Sequence, residues 1–311
     1  MTLINELSFI IVSWNSAQTL RGAIESCLTV IHQYYPRTGR IVVYDNASID
    51  TCPQILDEFT RKYPHTFIGI KGKQNLGFAT GNNRAVAASP SRMYVLVNPD
   101  VTFKAEVITK LATTLNSDRD IAIVCPKLVY LDRSVQPSIR RFPTFSYLLL
   151  KQLLGETLQT LLHPFDYYYD QMPPPQKAVE VNWAIGAFMM VSGEYIARYG
   201  LFDERFFLYF EDVSLCLDAW QNGYRVLFQP EASALHLYQR SSTSSLFNYL
   251  RLVHIVSALK FFAKYRPYQK RWQLVLWLLE MNSKVKNSLR LLTSVIPRRL
   301  QKNIVSIRRP I

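Results

Sequence analysis

Met93-Tyr94-Val95-Leu96-Val97-Asn98-Pro99-Asp100 is an unbroken apolar run that stops abruptly in polar and turn-forming residues. A run with no polar alternation is buried on both faces, and such strands belong to parallel sheets covered by helices. The same pattern recurs upstream. Ser8-Phe9-Ile10-Ile11-Val12-Ser13-Trp14-Asn15 is followed by a helical pattern over 17–32, and Arg40-Ile41-Val42-Val43-Tyr44 ends in Asp45-Asn46-Ala47-Ser48-Ile49-Asp50 before another helix. A short strand over 66–70 precedes the loop Asn75-Leu76-Gly77-Phe78-Ala79-Thr80-Gly81-Asn82-Asn83. Strands that alternate with helices and end in Asn or Asp predict an open α/β sheet with its ligand at the carboxyl ends of the strands.

Downstream the pattern continues through a helix over 104–115 and a strand over 121–130. Residues 138–177 lose periodicity and read as an insertion near the acceptor side. The stretch Val179 to Val191 reads as a strand with Gly186-Ala187 in its middle, where a ligand or another backbone passes close. Next comes Arg205-Phe206-Phe207-Leu208-Tyr209-Phe210-Glu211-Asp212, a carboxylate pair behind four aromatics and ahead of a helix that ends near Gly223. A strand over 224–229 then leads through Pro230 to His236.

The residue types at this edge have a chemistry. Asp45 at a strand end can accept hydrogen bonds from ribose hydroxyls or a nucleobase. The Gly77/Gly81 loop, with Asn75, Asn82 and Asn83, lets backbone approach a ligand while supplying amide donors and acceptors. Asn98 and Asp100 share one side of an extended segment, as two hard oxygen ligands for Mg²⁺ or Mn²⁺, or else form an ordinary Asn-Pro-Asp turn. A carboxylate against an apolar wall has its pKa raised and becomes a candidate general base; the Glu211-Asp212 pair also suits a helix N-terminus. His236 is a structural histidine or a third metal or phosphate contact.

With 311 residues, 49% of them hydrophobic, the chain can bury a sizeable core. There is no G-x-G-x-x-G and no Gly-Lys-Ser/Thr phosphate loop, which argues against a dehydrogenase or an ATPase. Cys27, Cys52, Cys125 and Cys216 form no Cys-x-x-Cys pair and read as reduced thiols of a cytoplasmic protein. The apolar run over 9–14 is too short for a signal peptide or a membrane span.

Through Ser245 there are 22 Lys and Arg against 22 Asp and Glu, whereas from Leu246 onward there are 14 against the single acid Glu280. The whole excess of +13 therefore sits at the end of the chain, dividing it into a body, 1–245, and a basic amphipathic helical region, 246–311. A helix is expected over 246–264, and Trp272 and Trp277 stand between basic flanks. Cationic helices with Trp suit the interface of an anionic membrane, or else pack on the body with a solvated basic face. No recognisable nucleic-acid module is present.

Taken in order, Ile11-Val12-Ser13-Trp14-Asn15, Tyr44 to Asp50, Asn75 to Asn83, Val97-Asn98-Pro99-Asp100, Ile185-Gly186-Ala187-Phe188, Phe202 to Asp212, and His236 resemble the family 2 inverting glycosyltransferases, in particular the rhamnosyltransferase-like branch. The likeness covers roughly 8–245. It implies a GT-A fold, a nucleotide-diphosphate-sugar donor, rhamnose as first guess, a glycan or lipid-linked glycan acceptor, and Mg²⁺ or Mn²⁺. By the same resemblance Asp45 holds the nucleobase end, Ser13, Trp14 and Asn15 line that pocket, and Asn98 lies near the ribose. Asp100 and His236 take the metal, while Asp212 is the catalytic base with Glu211 beside it. The pattern departs from the family at Asn98, Ser214 and Asp218, and in the absent glycine after His236. These departures keep a non-catalytic nucleotide-sugar-binding homologue as the alternative. An activated-sugar nucleotidyltransferase would instead need a Gly-rich, Lys/Arg-containing loop where Trp14-Asn15-Ser16 stands.

Overall fold

The computed structural model describes residues 5–144, 177–237 and 244–265. The expectations for 145–176 and for the tryptophans at 272 and 277 lie outside them. In chain order the elements are β1 (Asn5–Ser13), α1 (Ala17–Tyr34), β2 (Gly39–Asp45), α2 (Cys52–Lys62), β3 (Phe67–Lys71), α3 (Gly77–Ala87), β4 (Ser91–Val97), β5 (Val101–Thr102), α4 (Ala105–Leu115) and β6 (Ile121–Val129). They continue with β7 (Ile139–Arg140), β8 (Val179–Glu180), β9 (Trp183–Ala184), β10 (Phe188–Ser192), α5 (Gly193–Tyr199), α6 (Glu211–Gln221), β11 (Arg225–His236) and α7 (Ser244–Lys264).

The main sheet runs β3-β2-β1-β4-β10-β6-β11-β5, with β8 paired to β11; β7 and β9 form a separate ribbon. β1 pairs in parallel with β2 and β4, β2 with β3, and β6 with β11. β10 runs antiparallel between β4 and β6, so Phe188, at its beginning, lies opposite Val97, at the end of β4. The chain therefore enters β10 from the edge at which the parallel strands leave. That inversion puts Ala187 and Asn98 side by side.

Both faces of the central strands are covered, as their apolar runs require. On one face Phe9, Ile11, Ile41 and Val43 join Ile24, Leu56, Ile108 and Leu111 from α1, α2 and α4. Phe103 bridges Phe9 and Phe188 there, with ring centroids 5.9 and 4.8 Å apart; each buried ring contributes about 1.5–3 kcal/mol. On the other face α3 lies so close to Val12 that a Cβ on Gly81 would stand 2.9 Å from it.

Two readings of local structure need correction. Residues 179–191 are three short strands rather than one, because the backbone around Gly186 leaves the ladder: Gly186 N–H donates to Asp212 and Ala187 C=O accepts from Asn98. Residues 77–87 are the helix α3, not a loop. Gly77 has φ +86°, and a Cβ there would collide with the Phe207 carbonyl, so the backbone it admits is that of Phe207.

The compact unit containing the sheet extends to Phe261, and Phe262–Ile311 forms a second. Among the described residues no helix is long and apolar enough to cross a membrane.

Candidate functional site

Asp45 closes β2 beside Ser13, which closes β1. Its carboxylate accepts from Ser13 Oγ at 3.0 Å, from Ser48 Oγ at 2.5 Å and from Ser48 N–H at 3.0 Å, and the residue is 1% exposed. These bonds satisfy the buried side-chain oxygens at the strand end. Ala47, at φ +59°, turns the chain back so that Ser48 can reach it. Asn15, at φ +51°, accepts from Ile49 N–H and donates its own N–H to Ser48 Oγ; Trp14 stands exposed beside it. Asp50 accepts from Ala17 N–H and Cys52 N–H, tying the starts of α1 and α2 to the same turn.

The next contacts run along the strand ends. Asn46 donates its side-chain amide to Gly77 C=O and accepts from Leu76 N–H, and Asn75 accepts from Gly77 N–H. Phe78 N–H donates to Phe207 C=O, holding the segment that leads to Glu211 and Asp212. Asn83 faces elsewhere: its amide accepts from Phe202 N–H and donates to Phe202 C=O and Glu204. It fastens the 202–204 loop to α3.

Tyr209 and Phe210 both have φ of +69°, a strained left-handed pair that places Glu211 and Asp212 in the first turn of α6. Phe210 occupies the N-cap position and the helix has no side-chain cap bond, so the carboxylates stand in the first turn without serving as its N-cap. Asp212 accepts from Gly186 N–H at 2.9 Å on one oxygen and from Val213 N–H at 2.8 Å on the other. Burial raises its pKa, opposed by those two N–H groups and by the Arg140 charge. Glu211 is 4% exposed, one of its oxygens has no partner, and burial and the adjoining Asp212 push its pKa well up. A neutral carboxyl suits that position.

At the far end of the edge, His236 Nε2 lies 3.3 Å from Asp100 Oδ1. His236 closes β11 opposite Val101, and Leu237 N–H donates to Asp100 C=O. His236 Nδ1 is 2.8 Å from Gln136 Oε1, so with this amide orientation Nδ1 donates to Gln136 while Nε2 faces Asp100. Asn98 N–H donates to Ala187 C=O at 2.8 Å, while its buried Oδ1 has no partner. Gly186-Ala187 thus joins Asp212 to the Asn98–Asp100 turn.

A model described as Glycosyl transferase family 2 matches residues 8–181, more than half of the chain. The chain belongs to glycosyl transferase family 2. A second model, described as Glycosyltransferase (GlcNAc), matches residues 140–302 of this family 2 chain. Among curated proteins it is 26% identical over 219 residues to an N-acetylglucosaminyl-diphospho-decaprenol L-rhamnosyltransferase of Mycobacterium tuberculosis, covering 64% of this chain and 67% of that one. It is 27% identical to Rhamnosyltransferase WbbL of Escherichia coli K12, covering 63% and 73%. The crystal structure of GalNAc-T7 with UDP, GalNAc and Mn²⁺ superposes with a TM-score of 0.58 at 15% identity, over 81% of this chain. The family 2 chain spans about half the length of that structure, 48%. The likeness shows the fold: the family 2 enzyme has a GT-A architecture, a mostly parallel sheet with helices on both faces.

Whether the site fits a divalent ion turns on Asp100 and His236. Two donors bound cis to an octahedral ion at about 2.1 Å stand about 3 Å apart, close to the observed 3.3 Å. Among the described residues no group of three or more His, Cys, Asp and Glu is placed to hold a metal. An ion on this pair would take its remaining ligands from outside these side chains.

Four residues at this edge were not picked out as site candidates by the sequence: Ser48, Gln136, Arg140 and Trp183. Ser48 was within reach, being part of the strand-end Asp-Asn-Ala-Ser. Arg140 lies over the Trp183 ring at 5.5 Å on the β7–β9 ribbon, next to the Asp212 field.

Proposed function

We propose that this family 2 enzyme is a metal-dependent inverting glycosyltransferase that moves a sugar, rhamnose as first choice, from a nucleoside-diphosphate donor to a lipid-linked glycan at the inner membrane face during cell-surface polysaccharide assembly. The observation that carries the reading is the continuous line of contacts Ser13–Asp45, Asn46–Gly77, Phe78–Phe207, Gly186–Asp212, Asn98–Ala187 and Asp100–His236 along one sheet edge. The names of the two rhamnosyltransferase relatives support the sugar, and the decaprenol diphosphate in one of them supports the acceptor class.

In this reading residues 1–245 form the catalytic body and 246–311 are the basic region. Ser13, Trp14, Asn15 and Asp45 hold the nucleoside, with Asn75 and Gly77 supporting that wall at the start of α3. Asn98 offers its unpaired oxygen to a ribose hydroxyl. Asp100 and His236 would hold Mg²⁺ or Mn²⁺, which when bound neutralises charge on the departing diphosphate. Asp212, fixed by Gly186 N–H and Val213 N–H, keeps one further lone pair on each oxygen for an acceptor hydroxyl. It takes the proton as the hydroxyl oxygen bonds to the anomeric carbon and the bond from that carbon to the diphosphate oxygen breaks, giving inversion in one displacement. Glu211, kept neutral, leaves Asp212 as the ionised member of the pair.

The test is incubation of the full chain and Mn²⁺ with thymidine-diphosphate rhamnose and other nucleotide sugars, with a polyprenyl-diphosphate N-acetylglucosamine acceptor, read by mass spectrometry. A product one sugar heavier and of inverted anomeric configuration supports the reading. Donor-induced thermal stabilisation with neither transfer nor hydrolysis would assign the chain to the non-catalytic binding homologues.

A further inference from the structure

α7 is apolar on two opposite faces, a pattern that normally means burial all round. One face is used. His254 packs against Tyr209 and Phe210, with centroids 5.4 and 5.2 Å away, and Phe261 against Phe210 at 5.3 Å. Ser257 Oγ donates to Leu208 C=O at 2.8 Å, and Lys260 Nζ to Arg205 C=O at 2.7 Å. These contacts hold the strained turn immediately before Glu211 and Asp212.

The other face is bare. Tyr249, Leu252, Ile255, Val256 and Leu259 recur at helical spacing on the side opposite His254, Ser257 and Phe261, and Leu252 and Leu259 are 59% and 57% exposed. Arg251 and Lys260 flank this stripe, and α7 contains no acidic residue. An apolar stripe edged by cations is the pattern of a helix lying in an anionic lipid interface. A second copy is a poor occupant, because stripe against stripe would bring two acid-free cationic helices together. The chain beyond α7 shares that sign, with Glu280 as its one acid.

We propose that the outer face of α7 beds into an anionic bilayer surface while its inner face holds the 208–210 turn, so that docking orders the carboxylate pair. The docking stands on the stripe alone; the coupling rests on the reading of Asp212 as the base.

The test uses the full chain. Each native cysteine is buried, and Cys52 is pushed up to about 11, so a cysteine introduced as Leu259→Cys labels selectively at neutral pH. An environment-sensitive dye there should shift to the blue on vesicles of phosphatidylcholine with phosphatidylglycerol and not on phosphatidylcholine alone. Leu252→Ser combined with Val256→Ser should lower sedimentation with the anionic vesicles about tenfold. No shift and no loss would overturn the docking. So would a label already buried without vesicles, or a dimer that the serine variant dissolves; these assign the stripe to the chain's own end and to a second copy. For the coupling, anionic vesicles should raise donor hydrolysis several-fold in the native chain, leaving the serine variant at the native basal rate. Ser257→Ala should still sediment but lose the stimulation, and equal stimulation there would overturn the coupling. Sedimentation needs no sugar, so its failure is separate from failure to bind or turn over a nucleotide sugar.

Discussion

Gly186 donates its backbone N–H to Asp212 Oδ2 at 2.9 Å, and the next carbonyl, that of Ala187, accepts from Asn98 N–H. Two residues thus link the carboxylate that would take the acceptor proton to the turn that would carry the diphosphate. The inverted strand β10 makes this possible, since it begins where β4 ends.

The contrast between two glycines tests that arrangement. At Gly186 a Cβ would meet Asp212 Cβ and Phe78 at 3.4 Å, which is tight but leaves the N–H in place. Gly186→Ala should therefore keep the fold and most of the donor affinity. Gly77→Ala meets the Phe207 carbonyl at φ +86° and should destabilise the chain by about 1–3 kcal/mol or more in urea unfolding.

The acidic limb of the kcat/KM profile should lie above the ordinary carboxylate range of about 4, because burial raises Asp212. The base works only when ionised, so activity rises with pH through that limb. A limb at or below the ordinary value would mean that Asp212 is not the titrating base.

Glu211→Gln probes the neutral partner. From about pH 4.3 upward, Glu211 stays protonated in the folded chain but ionises in the unfolded one, which favours unfolding as pH rises to its raised folded value. Asp212 contributes with the same sign and is retained in the variant, and Arg140 is the opposing charge. The stability of Glu211→Gln relative to the native chain should thus be unchanged at low pH and increase above about 4.3, read by urea titrations across a pH series.

Gln136→Leu removes the side chain that bonds His236 Nδ1 and holds the ring toward Asp100. Mn²⁺ affinity should fall about 10–100-fold, read by titrating the ion into the native chain and the variant. An unchanged affinity would show that Gln136 does not position His236 for the ion.

Much of this edge was legible in the residues. Asp45, Asn98, Asp100 and His236 stand where apolar runs stop, and a strand end is recognisable from one sequence. Gln136 was not, because its partner lies 100 residues away and nothing local distinguishes it from any hairpin glutamine. Gly77 announced a close approach without saying to what, since a ligand and the Phe207 carbonyl demand the same missing side chain. The break around Gly186 stayed hidden because its cause, an N–H spent on Asp212, is a contact between distant segments.

The central claim is that Asp212 accepts the acceptor proton, and Asp212→Asn tests it most directly. With nucleotide sugar and Mn²⁺, the variant should show the native donor-induced thermal shift while transfer falls by about 10²–10⁴-fold. Transfer within a few-fold of the native chain, with the same shift, would contradict the account.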